Sequence, residues 1–492
     1  MLRDQILNAV NNPIKSDDGF DIHKALWALV KDIGLNPEDT GGEIKFYGKD
    51  PVMPSPIRFA SATAIGLAAK AVAIAKLWKL RTGEGQDIDI DIRRTPHRLS
   101  PFFQGRWEKI NGFPPGYPME QHNPFAANFY KTLDDRHVIP LCYYRRLGIS
   151  AFKLLNTPPD HDSVAAEIGK WTADDLEETF NKAGLPLTKM RSVYEFLELE
   201  QFEFLQRMPV FEIEKIGDSD PIPFTTNPKT PLDGVKALGM GHVIAGAATG
   251  RGLALHGADV LNVWSIKDEE WESLYATANV GMRSTKLDLS SPEGKAKMEE
   301  LVGGADIFFA NRRNGYLAKY GLSAEEMAAV RPGIIHVTVS LYGLEGPWKD
   351  HFGFDLSAGA ATGINVLEGS MDEPGYPTIK VINDFIVGWL MTTAAITCLI
   401  RRSQEGGSYK VHLSLTRVML WMYTLGIFDK KYAAKLAGSS DEHIFADPEL
   451  FTAETPLGTY QGVTDQVYMS KTPGHYKYAI LPRGASKPVW ES

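Results

Sequence analysis

Two cysteines in 492 residues, Cys142 and Cys398, are too few for a disulfide framework or a cysteine-rich zinc site, and they fit a reducing compartment. Positive charge is also short. With 52 Lys and Arg against 61 Asp and Glu, the net charge is −9, so no global basic field exists to hold nucleic acid or an anionic membrane. A bilayer span needs about twenty apolar residues. The uncharged run Phe385–Ile400 stops at sixteen and holds three threonines. Asp384 precedes that run and Arg401 and Arg402 follow it, the charge placement a helix dipole favours. The opening MLRDQILNAVNN lacks the basic-then-apolar order of a signal peptide. The twelve histidines form no H-x-x-x-H or H-E-x-x-H spacing, and G-x-S-x-G, a P-loop and C-x-x-C are absent, which leaves metal-dependent, serine-hydrolase and kinase chemistry without support. What remains is 43% hydrophobic and 23% charged, an ordinary globular balance. A soluble, cytoplasmic protein of two to four domains is expected, with neither nucleic acid nor membrane as partner.

Periodicity divides the chain further. Two short amphipathic helices are expected over Leu2–Val10 and Ile22–Ile33, then a Gly41–Gly42 turn and a proline-rich lead-in. The Ala-rich segment Ala60–Leu80 has strong helix propensity. It ends at Thr82-Gly83-Glu84-Gly85, after which Ile88, Ile90 and Ile92 alternate with aspartates as a half-exposed strand. The same helix–turn–strand order recurs at an offset of 322 or 323 residues: Asp384–Arg402, the turn 404–408, then Val411, Leu413 and Leu415. Asn128–Tyr143 and Gly458–Met469 rhyme as well, so an internal repeat is expected. Met208–Phe224 alternates like paired strands. From Val235 onward, strands VKALGM, ADVLNVW, ADIFFA and IIHVTVS alternate with helices, the pattern of a parallel, doubly wound sheet.

Candidate chemistry clusters at strand ends. Gly239–Gly250 lacks a clean G-x-G-x-x-G, and a βα turn facing a phosphate and simple close packing both stay open. Arg283 and Lys286 precede a helix, and Asn311, Arg312 and Arg313 follow ADIFFA; cations there fit a polyphosphate or are solvated. Asp384 reads two ways. It is an N-cap, a role Asn383 could also fill. Alternatively it is a partly desolvated carboxylate nucleophile beside backbone N–H groups able to stabilise an oxyanion. The equivalent position in the first copy is Ser61 or Ala62.

Over roughly residues 55–475 the chain resembles the class III CoA-transferases, the CaiB/BaiF family. The resemblance rests on Pro231–Val235, His256–Val260, Arg283-Ser284, Leu287–Leu289, Ala305-Asp306 before Asn311, Tyr320–Leu322, Ser340–Pro347, Phe354-Asp355 and Arg81–Gln86. It implies an α/β fold with a Rossmann-like large domain and a smaller α+β domain, an interlocked homodimer, and acyl-CoA and a carboxylic acid as substrates. Coenzyme A is then a substrate and no other cofactor is implied. The catalytic aspartate falls on Asp384, which would pass through a mixed anhydride and an aspartyl-CoA thioester. His242, Val243 and Ala245 would face the thioester, and Arg283, Lys286, Asn311 and Arg312 the CoA phosphates and adenine.

The segment order departs from that family and reads as a permuted or truncated tandem. It comprises a first large-domain portion (1–105), a small domain (106–205), return strands with the CoA-binding portion and Asp384 (206–430), and the start of a second small-domain segment (431–492). Two half-complete copies would leave apolar helices unpartnered, and self-association is expected. Three alternatives are carried: a 2-methylacyl-CoA racemase, whose histidine would stand where Phe354 is, with His351 three residues away; a CoA-thioester isomerase or dehydratase; and a degenerate acyl-CoA-binding scaffold.

Overall fold

The computed structural model describes residues 1–102, 105–116 and 123–491; part of the expected small domain, 117–122, lies outside the described residues. Short Val-, Ile- and Phe-rich runs build a seven-stranded sheet. Its spatial order is Arg283–Leu287, Asp259–Ser265, Lys236–Met240, Ile307–Ala310, Ile335–Ser340, Ser408–Ser414 and Glu212–Gly217. The first six are parallel and the last is antiparallel. Numbered along the chain, the parallel strands run 3-2-1-4-5-6, so the order reverses between Lys236–Met240 and Ile307–Ala310. In open sheets of this kind a crevice for ligands opens there, beyond the carboxyl ends of the strands.

Two long helices, Phe59–Thr82 and Asp384–Glu405, form the centre of the main core and pack on one another. By length and composition both could cross a membrane, yet 94% of the apolar window of each is buried inside the protein. The threonines of the second helix are satisfied within it: Thr392, Thr393 and Thr397 donate to the carbonyls of Gly388, Trp389 and Thr393, as mid-helix hydroxyls do. A Cβ at Gly388 would stand 2.6 Å from Ala248 Cβ, so glycine is what lets this helix approach helix Ala245–Leu255.

Each copy is a parallel β–helix–β unit. Ile44–Tyr47 pairs with Ile88–Asp91 around the first central helix, and Ile335–Ser340 with Ser408–Ser414 around the second. Each second strand also takes an antiparallel neighbour from the chain that follows the other copy's helix–turn–strand unit. Val467–Met469 joins Ile88–Asp91, and Glu212–Gly217 joins Ser408–Ser414. The copies therefore interlock within one chain. The central helices partner each other, and the expected homodimer loses the unpartnered helices that argued for it.

Two expected elements differ. Met208–Phe224 supplies one strand, because Pro221 and Pro223 have no N–H to extend a ladder. Leu415 begins a helix, Leu415–Thr424, because the Ser414 hydroxyl caps it by accepting from Arg417 N.

Candidate active site

The strand Lys236–Met240 runs out into Gly241–Ile244, and three side chains pin that loop. Asn262 accepts from Gly241 N at 2.9 Å and donates to Gly241 O at 2.9 Å. Asn311, beyond the neighbouring strand Ile307–Ala310, accepts from His242 N at 2.8 Å and donates to His242 O at 2.6 Å. Glu270 accepts from Val243 N at 2.8 Å. Val243 has φ +59°, a costly conformation for a β-branched residue, and strain of this kind persists where surroundings over-determine the backbone. His242 Nε2 lies 2.8 Å from Glu269 O. A carbonyl only accepts, so the imidazole carries its proton on Nε2.

Above this loop the small domain contributes Tyr143 and Tyr144. Tyr144 donates to Glu270 at 2.6 Å, and its ring centroid is 5.6 Å from that of His242. Tyr143 packs against Tyr144 at 5.1 Å and Phe354 at 4.7 Å. Burial, then the charges of Asp384 and Glu270, push the Tyr143 phenol well above its ordinary range, so both tyrosines stay neutral donors.

Asp384 is the first residue of the second central helix and has 7% of its surface open. Its carboxyl has no hydrogen-bond partner among the described residues. The capping is done by Asp355, whose Oδ2 accepts from the N–H groups of Ile382 (2.7 Å), Asn383 (2.7 Å) and Asp384 (3.1 Å). Those three N–H groups are thereby taken and are not free for an oxyanion. Asn383 instead donates its side-chain amide to Leu415 O at 2.7 Å. Burial raises the Asp384 carboxyl well above the usual carboxylate range, and the like charge of Asp355 adds to it. Burial also lifts Asp355, to about 6, against the pull of its three N–H donors. Those donors favour the charged form of Asp355, so the pair's last proton belongs on Asp384.

The other predicted residues separate. His242, Val243 and Asn311 meet at the switch point. Arg312 is there too, but its guanidinium is held by Asp268 (2.7 and 3.1 Å) and donates to Met240 O at 3.2 Å. Ala245, 2% exposed, opens the helix packed on Gly388. Arg283 is at the wrong end of the sheet for the phosphate role. It begins its strand, bonds Asp259 at 2.7 Å and Val489 O at 2.9 Å, and is committed there. Lys286 is on the outermost strand, exposed and beside Gly484, two strands from the reversal. Arg483, not anticipated, donates to Asp268 O at 3.1 Å and lies 5.3 Å over the Trp264 ring.

Four surface clefts of about 320, 730, 420 and 400 Å³ open elsewhere on the described residues. No group of three or more His, Cys, Asp or Glu among the described residues could hold a metal ion.

Residues 232–482, just over half of the chain and including Asp384, match the family model for CoA-transferase family III. The chain belongs to that family. Among curated relatives, the acetyl-coenzyme A transferase nodX of Hypoxylon pulicicidum is 29% identical over 353 residues, covering 65% of this chain and 56% of that protein. The succinyl-CoA–D-citramalate CoA-transferase of Chloroflexus aurantiacus is 31% identical over 217 residues, 40% of this chain and 54% of its own. The chain thus spans about half the length of the curated relatives it matches. A CaiB/BaiF family protein of Brucella suis, solved as a crystal structure, is 25% identical with a TM-score of 0.35, covering 47% of this chain and 65% of that one.

Proposed function

We propose that this chain moves coenzyme A between carboxylic acids through covalent catalysis by Asp384. The observation that carries this reading is a buried carboxyl, at the start of the central helix, with no hydrogen-bond partner among the described residues. Once ionised, Asp384 attacks the thioester carbonyl of the donor, the C–S bond breaks, and CoA thiolate leaves an acyl–aspartyl anhydride. The thiolate attacks the aspartyl carbonyl, releasing the donor acid and forming an aspartyl-CoA thioester. The acceptor carboxylate displaces CoA to give a second anhydride, and the thiolate then takes the acceptor acyl group and frees Asp384. Splitting one acyl exchange into such steps is what a covalent nucleophile achieves. The names of the relatives, an acetyl-coenzyme A transferase and a succinyl-CoA–D-citramalate CoA-transferase, support acyl-CoA and a carboxylic acid as the substrate classes.

In this reading His242 and Val243 line the thioester end, held by Asn311 and Glu270. The aromatic group Tyr143, Tyr144 and Phe354 must part to admit a pantetheine arm. Racemisation loses its second acid–base group, since Phe354 stands where the histidine is required and His351 stacks on Trp348 at 5.6 Å. A non-catalytic acyl-CoA-binding scaffold is the second reading, favoured by the 7% exposure of Asp384 and by the neutralised Arg312.

Incubation with acyl-CoA and hydroxylamine, followed by peptide mass analysis, separates the two. A hydroxamate on Asp384 that requires acyl-CoA supports the transferase. CoA binding with no adduct on Asp384 and no transfer would leave the scaffold standing.

A further inference from the structure

The 730 Å³ cleft shares no residue with the switch-point site. It lies between the amino-terminal helix Ile22–Val30, the segment Pro209–Ile213 and the helix Leu415–Thr424. Its apolar wall includes Leu29, Phe211, Trp421 and Leu425, each under 9% exposed. Into the same cleft come two guanidinium groups, Arg417 and Arg401.

Neither has an ion-pair partner among the described residues. Arg417 donates through Nε to Met208 O at 2.7 Å, while its Nη1 is buried with no acceptor. Burial with no compensating anion pushes this guanidinium down to about 10. Arg401 donates one nitrogen to Ile33 O at 2.8 Å. The nearby acids do not answer these charges. Asp21 caps its helix by accepting from Lys24 N at 2.9 Å, Asp18 is paired with Arg58, and Asp32 is exposed with no ion pair of its own. An arginine desolvated without a partner is expensive, and the cost is repaid when an anion arrives. Clefts of this size with apolar walls and few polar anchors are typical of small-ligand sites.

We propose that the cleft is a second binding site, for a carboxylate carrying an apolar chain, with its head on Arg417 and its chain along Leu29, Phe211 and Trp421. Phosphate or chloride would answer the charge but not the wall, and a neutral hydrocarbon the wall but not the charge.

Isothermal titration with dodecanoate below its micelle concentration tests this, with dodecyltrimethylammonium as the comparator of opposite charge. Saturable binding of one dodecanoate per chain is expected, at least about tenfold tighter than the cation, which is the discrimination one desolvated ion pair supplies. Arg417→Met should weaken it at least about tenfold. Because Arg417 also holds Met208, Ala25→Trp, which fills the cleft and leaves the guanidinium alone, serves as the second variant. No saturable binding, equal binding of the cation, or undiminished binding in either folded variant overturns the proposal. No acyl transfer is read, so the outcome is independent of the role of Asp384.

Discussion

The two central helices begin alike and end in different chemistry. Each starts against a buried aspartate from earlier in the chain. Asp50 accepts from Ser61 N at 2.6 Å at the first helix, and Asp355 accepts from three N–H groups at the second. At the first helix the charges are answered. Burial raises the Asp50 carboxyl, but the charge of Arg58 offsets part of that rise, and Lys70, deeper in the helix, donates to Asp465. At the second helix the added carboxyl of Asp384 has only the like charge of Asp355 for company. One frame has thus been kept twice, once satisfied for stability and once left frustrated. Local frustration in an otherwise consistent structure is the physical mark of a working site.

The sharpest break of that comparison is Asp384→Asn. The amide keeps the size but cannot attack a thioester, so CoA transfer should fall at least about 10³-fold, as when other covalent nucleophiles are removed. Stability should rise by about 1 kcal/mol, because a buried ionisable group is gone. Chemical denaturation alongside a transfer assay reads both. Full activity in the variant would remove Asp384 from the mechanism.

Next in size is Asp465→Asn, on the satisfied side. Burial alone would raise the Asp465 carboxyl, but Lys70, Arg98 and Arg251 outweigh it and hold it far below the usual range. The substitution removes the carboxylate shared by three buried cations, one of which, Arg98, has no hydrogen-bonded nitrogen and, among the described residues, keeps only Glu108 as an ion-pair partner, at 3.9 Å. A loss of about 3–5 kcal/mol is expected, measured by urea denaturation; a change under 1 kcal/mol would show the network to be slack.

The two sides should also answer pH with opposite signs. Asp355 rises from 3.8 to about 6 on folding, so between those values the folded state holds a proton the unfolded chain has released. This contribution costs nothing below pH 3.8, grows as pH rises and is complete above 6, at about 3 kcal/mol. Asp465 is depressed, so its stabilisation is present above the unfolded carboxylate value and is lost as pH falls. Denaturation midpoints from pH 3 to 8 should fall at both ends. The Asp384→Asn variant, which removes a carboxyl raised by its burial, should flatten the high-pH limb, while Asp465→Asn should flatten the low-pH limb. In catalysis, turnover should rise with pH as Asp384 ionises.

Much of this architecture was legible in the chain because it is periodic. IIHVTVS, ADIFFA and the two long apolar helices read directly, as did Asp384, a lone acid at the head of an uncharged run. Asp355 was visible only as part of a motif, since its three bonds span 27 to 29 residues of sequence and no local pattern encodes them. Glu270 sits in the acidic run Asp268–Glu270, which looks solvated until Tyr144 and the loop Gly241–Ile244 close over it. Arg283 begins a parallel strand and so lies at the opposite edge of the sheet from a cation that ends one, and no local pattern marks where a ladder starts.

The smallest effect tests whether the first copy is chemically silent. Ser61, with Ala62 one of two residues equivalent to the proposed nucleophile, is 2% exposed and donates its N–H to Asp50 at 2.6 Å. Ser61→Ala removes the buried hydroxyl and leaves the backbone bond, which should change stability by no more than about 1 kcal/mol and leave CoA transfer within about twofold, since 1.4 kcal/mol is needed at the reacting centre for a tenfold change. Denaturation and steady-state transfer on the same preparation decide it. A large loss of turnover with stability intact would mean that the serine takes part in the chemistry, and the two helix ends would then be halves of one site.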